Sequence, residues 1–140
     1  MYFPQEAKKV MNERFGRDTL IALATVEGDV PAVRAVNAYY EDGAFYVVTY
    51  GLSNKMKQLQ KNPNVAVCGD WFTGRGRGED LGHVLAPENA AMMEKLRTVF
   101  AAWYTGGHVN EADPQTRLLC IRLTTGTLYS HGTKYELEFV

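Results

Sequence analysis

The segment from Pro31 to Pro63 constrains the fold more than any other part of this chain. It reads as a strand that carries Arg34, a tight turn, a second strand and a short helix that begins after Ser53 and has Lys55 in its first turn. A guanidinium on an apolar strand needs an anionic partner, because burying it unpaired is costly. The N-terminus of a helix suits a phosphate, because its backbone N–H groups are unpaired. Both features lie on one hairpin, so the segment predicts a phosphate-bearing small molecule held on a β-barrel.

Length and composition indicate one globular domain of ordinary type. The chain has 140 residues, of which 46% are hydrophobic and 22% are charged. The formal net charge of −1 gives no indication of nucleic acid or an anionic membrane as a partner. Cys68 and Cys120 lie in apolar runs without metal-ligand spacing, and we expect both to be buried thiols. The N-terminal residues lack the apolar core of a signal peptide, so we expect a cytoplasmic protein.

Alternating apolar positions between turn residues predict an antiparallel β-barrel with peripheral helices. Gly28-Asp29 and the segment 41–43 are the expected hairpin turns. The segment 73–80 (TGRGRGED) is interpreted as a glycine-rich, bulged turn between two strands. Strands are predicted at 18–27, 30–40, 44–50, 64–72, 81–85, 117–130 and 135–140, and helices at 4–15, 54–61 and 88–104.

In this order the segments resemble the pyridoxamine 5′-phosphate oxidase-like family, the FMN-binding split β-barrels. The resemblance rests on ATVEGDVPAVRAV, FYVVTYGLSNK, LQKNPNVAV and GTLYSHGTKYELEF, and it covers nearly the whole chain. Within the family, the chain is similar to small bacterial members that also resemble nitroimidazole-resistance proteins. The resemblance implies a mainly β fold, a single FMN-binding split-barrel domain over 1–140, and a homodimer that binds two FMN molecules in grooves between its subunits.

The resemblance also implies a set of flavin-binding residues. Arg34 matches the arginine that contacts the FMN phosphate, and Lys55 matches the lysine of the family's Ser-Arg-Lys step. Asn54 stands where that step has arginine, so a neutral hydrogen-bond donor replaces one charged phosphate partner. Arg77 is placed to reach the pyrimidine edge of the flavin. The implied cofactor-binding residues are Arg34, Ala35, Val36, Asn37, Thr49, Tyr50, Ser53, Asn54, Lys55 and Arg77, and no catalytic residue is assigned.

The expected function is that of an FMN-dependent oxidoreductase, similar to a flavin reductase or oxidase, with an unknown small-molecule substrate and NAD(P)H as electron donor. Oxidation of pyridoxamine phosphate itself is not expected, because the C-terminal TLYSHGTKYELEFV lacks equivalents of the residues that hold this substrate. Three alternatives stay open. The protein could be a flavin carrier or sensor without turnover, it could bind the deazaflavin F420, or it could bind haem through His108 or His131.

Several of these residues also have a purely structural interpretation. Arg34 could pair with Glu27 or Asp29 instead of a ligand. Trp103 and Tyr104 either pack in the core or, together with the following glycines and His108, cover a planar ring from the partner subunit. The three histidines, His83, His108 and His131, follow no metal-ligand spacing, so no metal is expected.

Overall fold

Seven strands and three main helices form the structure, a computed structural model that describes residues 1–140. The strands are β1 (Thr19–Glu27), β2 (Val30–Glu41), β3 (Ala44–Tyr50), β4 (Asn64–Gly69), β5 (Phe72–His83), β6 (Thr116–Ser130) and β7 (Thr133–Glu138). The helices are α1 (Gln5–Phe15), α2 (Asn54–Lys61) and α3 (Ala90–Val99). Short helical turns at Pro87–Asn89, Ala101–Trp103 and Tyr104–His108 flank α3.

Six strands close an antiparallel barrel in the order β1-β2-β3-β6-β5-β4, and β7 pairs with the end of β6 outside the ring. The barrel is split on one side. There, β2 and β3 pair only through Tyr39–Glu41 and Ala44–Tyr46. Beyond these residues β2 pairs with β1 alone and β3 with β6 alone. The architecture confirms the predicted mainly β split barrel.

Two hydrophobic cores stabilise this arrangement. The larger one fills the barrel and includes the apolar face of α1, which presents Ala7, Val10, Met11 and Phe15 at helical spacing. The smaller one lies outside the barrel wall, where α3 and the turns after it pack against the outer face of β3. This second core places the end of the α3 segment beside the split. None of the helices has the length and apolar character needed to cross a bilayer.

The glycine-rich segment is a strand and not the predicted turn. Residues 73–80 belong to β5, with a register shift between Arg75 and Gly76. Glycines alternate with outward-facing polar residues here, so the usual apolar signal of a buried strand face is missing. A Cβ on Gly76 would overlap the carbonyl oxygen of Arg122, and one on Gly78 would lie 2.8 Å from Leu59. The inner positions are therefore filled from neighbouring elements, and the glycines allow this close approach.

Three other predictions need correction. Strand β4 ends at Gly69, and Asp70 and Trp71 form the turn into β5. The single long helix predicted over 88–104 is a chain of short segments that changes from α to π geometry before Gly107, whose φ is 91°. Cys68 is exposed on the outer face of β4, because only alternate residues of that strand face the core, whereas Cys120 is buried as predicted.

Candidate functional site

A groove of about 360 Å³ opens where β2 and β3 diverge. Each of these strands lacks a pairing partner on the side that faces the split, so backbone N–H and C=O groups are free to bind a ligand there. An adjoining depression of about 370 Å³ shares four of the groove residues and adds Tyr50. The groove is lined by Val36, Asn37, Val47, Val48, Thr49, Lys55, Trp103 and His108.

Arg34 lies near Lys55, one of the lining residues, and is held by neutral groups alone. It donates from Nη1 to the carbonyl oxygen of Leu23 (3.2 Å) and to Oγ1 of Thr25 (2.7 Å), and from Nη2 to Oε1 of Gln58 (3.2 Å). Partial burial lowers its pKa. Three of the five guanidinium N–H groups are used in these bonds, so two remain for a further acceptor.

Lys55 lies in the groove wall, and it also lacks a carboxylate partner. Its Nζ atom contacts only Oγ of Ser53, at 3.5 Å. Desolvation and, second, the charge of Arg34 lower the pKa of Lys55. No ion pair of the structure includes either cation, and Arg34 does not pair with Glu27 or Asp29. The structure thus brings two partly buried like charges together without a counter-ion.

A carboxylate joins two other side chains of the groove. Asp18 accepts a hydrogen bond on Oδ1 from Nδ2 of Asn37 and another on Oδ2 from Nε1 of Trp103, both at 3.0 Å. The indole ring packs against Phe100, with ring centres 4.9 Å apart. Trp103 therefore forms an aromatic wall of the groove, in the same chain as the cationic pair.

The other predicted site residues do not line the groove. Ala35 faces outward on β2. Ser53 precedes the first turn of α2 and makes no capping bond with its side chain. Asn54 lines a separate depression of about 440 Å³ with Gln58, on another side of α2. Arg77 is exposed on β5 and bonds to Asn64 at 3.4 Å, so it is not brought to the groove of its own chain.

The histidines and Tyr104 have distinct surroundings. His108 is exposed and borders both the groove and the adjoining depression. His131 lies in the turn between β6 and β7 and contacts Ser130, whereas Nε2 of His83 contacts the backbone carbonyl of Glu111 at 2.7 Å. Tyr104 is buried in the second core.

Sequence reasoning missed the residues that orient the site. Thr25 and Gln58 hold Arg34, and Asp18 holds Trp103. Thr25 carries a usable signal, because it is a polar residue at an inward position of β1. No local pattern identifies Asp18, because Trp103 is 85 residues away along the chain.

Together these features define a split β-barrel whose groove combines an aromatic wall, a free strand edge and Lys55, with Arg34 nearby. The model of the family described as pyridoxamine 5′-phosphate oxidase matches residues 7–130. The chain therefore belongs to the pyridoxamine 5′-phosphate oxidase family, as the sequence resemblance indicated.

Solved structures with the same fold carry varied names. A NimC/NimA family protein from Clostridium acetobutylicum is 22% identical over 96% of each chain, with a TM-score of 0.65. A FAD-binding protein from Mesorhizobium loti is 18% identical over 86% of this chain and 89% of its own, with a TM-score of 0.67. A heme-binding protein from Mycobacterium smegmatis is 14% identical over 89% of this chain and 54% of its own, with a TM-score of 0.65. No curated protein matches the chain.

Proposed function

We propose that this protein is an FMN-dependent oxidoreductase that acts on a small molecule. The observation that supports this proposal is the cationic pair of Arg34 and Lys55, which has no carboxylate partner and of which Lys55 lines a groove with an aromatic wall. A phosphate monoester placed between the two cations would remove their repulsion and accept charge-assisted hydrogen bonds from both. The family membership and the flavin-binding neighbour support the same cofactor class.

The residues present fit the two ends of FMN. At the phosphate end, Arg34 has two unused N–H groups, and Lys55 contacts only a neutral hydroxyl. At the ring end, the apolar side chains of Val36 and Val48 and the indole of Trp103 provide a surface for a flat heterocycle. The unpaired edge of β2 provides backbone donors and acceptors for the polar rim of that ring.

When bound, FMN would supply the redox chemistry. The protein's own residues bind the cofactor and orient it in the groove. Arg34 and Lys55 hold the phosphate, and Thr25 and Gln58 keep the guanidinium in place. Trp103 and the valine side chains exclude water from one side of the groove. None of the groove side chains has to transfer a proton, so the substrate needs only to reach the ring.

We also propose that the protein is a homodimer whose partner subunit covers the open side of the groove. The outer faces of β1 and β2 present small and apolar side chains, including Leu20, Ala22, Ala24, Val33 and Ala35, where solvated strands usually carry polar ones. Leu20 is 66% exposed and Val33 is 69% exposed. In the register of β1 and β2, Leu20 lies opposite Asn37, so this face continues to the edge of the groove.

Flavin reconstitution tests the proposal directly. Purified protein is incubated with FMN and passed through a desalting column. It is expected to retain one FMN for each groove, that is, one for each chain. Anaerobic NADH or NADPH should then bleach the bound flavin faster than free FMN, whereas a carrier or sensor would show no acceleration. Protein that retains no FMN would contradict the proposal.

Haem is the second candidate, because His108 borders the groove and imidazole is a common axial ligand of haem iron. Incubation with haemin should then shift the Soret band from its position in free haemin, and His108→Ala should abolish this shift. The cationic pair favours FMN, because a phosphate monoester concentrates up to two negative charges on one group, whereas the two propionates of haem are separate. A competition experiment with both ligands decides between them.

A further inference from the structure

Each oxygen of the Asp18 carboxylate accepts a hydrogen bond from a neutral donor of the groove. Oδ1 accepts from the side-chain amide of Asn37, and Oδ2 accepts from the indole N–H of Trp103, each at 3.0 Å. Asp18 forms no ion pair with a lysine or arginine. One side chain therefore holds both donors.

The two donors come from separate parts of the fold. Asn37 is on β2, beside the split, and Trp103 ends the helical segment that packs outside β3. Asp18 lies just before β1 and bridges them. The bridge fixes the distance between the strand side and the helix side of the groove, which β2 and β3 do not fix because they are unpaired at this level.

We propose that Asp18 is a positioning residue that sets Trp103 and Asn37 as the two walls between which a flat heterocyclic ring binds. The indole provides a stacking surface, and the Asn37 amide provides the polar wall. This assignment rests on the proposed flavin function for the identity of the ring. The bridge itself can be tested without any ligand.

Tryptophan fluorescence reports on the bridge in the ligand-free protein. The chain has two tryptophans, and Trp71 is 69% exposed in the turn before β5, so Trp71→Phe leaves Trp103 as the only tryptophan, which is excited selectively at the red edge of the absorption band. In this background Asp18→Ala is expected to make Trp103 more accessible to quenching by acrylamide. Asp29→Ala, which removes an exposed carboxylate from the β1–β2 turn, is the matched control and should change nothing. Unchanged quenching in Asp18→Ala would overturn the bridge.

Asp18→Asn separates geometry from charge. In this variant the amide oxygen can accept from the indole N–H while the amide nitrogen donates to Asn37, whose own amide has only to turn over. Quenching and ring affinity are therefore expected to stay within about twofold of those of the parent protein. If Asp18→Asn behaves like Asp18→Ala, the negative charge and not the positioning is what matters, and the proposal is wrong.

Riboflavin and FMN titrations test the effect on ring binding, because riboflavin has the same ring without a phosphate. Asp18→Ala is expected to weaken the binding of both ligands by the same factor, about tenfold, because the substitution affects the end of the groove where the ring binds. Circular dichroism and the Tm confirm that each variant is folded. Equal riboflavin affinity in Asp18→Ala and the parent protein would contradict the role in ring binding. A parent protein that binds neither flavin, with the quenching result as expected, would refute the flavin function and leave the bridge standing.

Discussion

Arg34 and Lys55 are close enough for one charge to depress the pKa of the other, yet neither has a carboxylate partner. Folding therefore holds two cations near each other at a cost in stability that a bound dianion would recover. Strain of this kind at the level of single residues is common at binding sites, where function and stability compete. It gives two predictions.

Removing either cation should weaken the binding of FMN without affecting the binding of riboflavin. Arg34→Gln and Lys55→Gln each remove charge-assisted hydrogen bonds to the phosphate, and we expect FMN to bind about 10- to 100-fold more weakly. Lys57→Gln, an exposed lysine on the same helix, is the control and should leave both affinities unchanged. Isothermal titration or fluorescence titration measures the change. Equal losses for riboflavin and FMN would show that the cations do not bind the phosphate.

Lys55→Gln should also stabilise the protein in the absence of ligand. The pKa of Lys55 is lowered by desolvation and by Arg34, so below that pKa the charged form makes the fold less stable, and the penalty is relieved as the pH rises through the folded pKa toward 10.5. At pH 7 we expect the Tm of the variant to rise by about 2 °C. The difference from the parent protein should shrink at alkaline pH. A lower Tm at neutral pH would contradict this interpretation.

At the scale of single elements, β5 shows how a strand can form with a run of glycines at its inward positions after Phe72. Its inner positions carry glycines, and Phe72, Leu59 and Leu123 supply the apolar volume from neighbouring positions. The close approach of β5 to β6 and α2 depends on this absence of side chains.

Gly76→Ala is therefore expected to be severely destabilising. Its Cβ would overlap the backbone carbonyl of Arg122, which cannot move aside without breaking the β5–β6 ladder, so we expect a loss of about 3 kcal/mol in the free energy of unfolding. Gly78→Ala meets only the flexible side chain of Leu59 and should cost less. Gly106→Ala, where the nearest atom is 3.8 Å away, is the control. Urea denaturation provides the three values, and similar losses at Gly76 and Gly106 would refute the clash.

The loop before β6 is held by a charged cluster on the α3 segment. Oε2 of Glu111 accepts from Nε of Arg97 (2.8 Å) and from Oη of Tyr104 (2.5 Å). Partial burial acts to raise the pKa of Glu111, but these hydrogen bonds outweigh it and lower the pKa. The cluster joins Glu111 to Arg97 and Tyr104, and His108 lies in the segment between Tyr104 and Glu111.

This cluster predicts a pH dependence of stability. A carboxyl whose folded pKa is lowered contributes stability above its unfolded pKa, here 4.5, and loses it as the pH falls through the folded pKa. Glu111→Gln should therefore be less stable than the parent protein at pH 7, by about 1 kcal/mol, with the difference shrinking below pH 4.5. Denaturant unfolding at several pH values measures it. Glu94→Gln, on the exposed face of α3, should show no such dependence.

At the scale of the whole molecule, the outer face of β1 and β2 exposes apolar side chains, among them Leu20 and Val33. If the homodimer forms through this face, Val33→Asp should shift the sedimentation coefficient from dimer to monomer and weaken FMN, because the groove borders the same face. Val30→Asp, at an equally exposed valine beside the β1–β2 turn, is the control. A parent protein that sediments as a monomer at micromolar concentration would exclude this interface.

Much of the fold could be predicted from local patterns. Strand β3 has the predicted bounds, and β1, β2, β6 and helix α1 differ from prediction by one residue at an end. These elements alternate clearly and end at turn residues, so their physical signal is contained within a few neighbouring positions. The Gly-rich β5 and the broken α3 segment deviated, because packing from other elements overrides their local preference.

The amino-acid sequence alone determined the alternation, the turns and the placement of Arg34 and Lys55 on neighbouring segments, because each depends on residues close together in the chain. Tertiary structure alone decided that neither cation meets a carboxylate, that neutral Thr25 and Gln58 orient Arg34, and that Asp18 reaches Trp103. These contacts form because the closed barrel and the helical segment bring together residues that are far apart in the chain. A pattern of neighbouring residues therefore does not predict them.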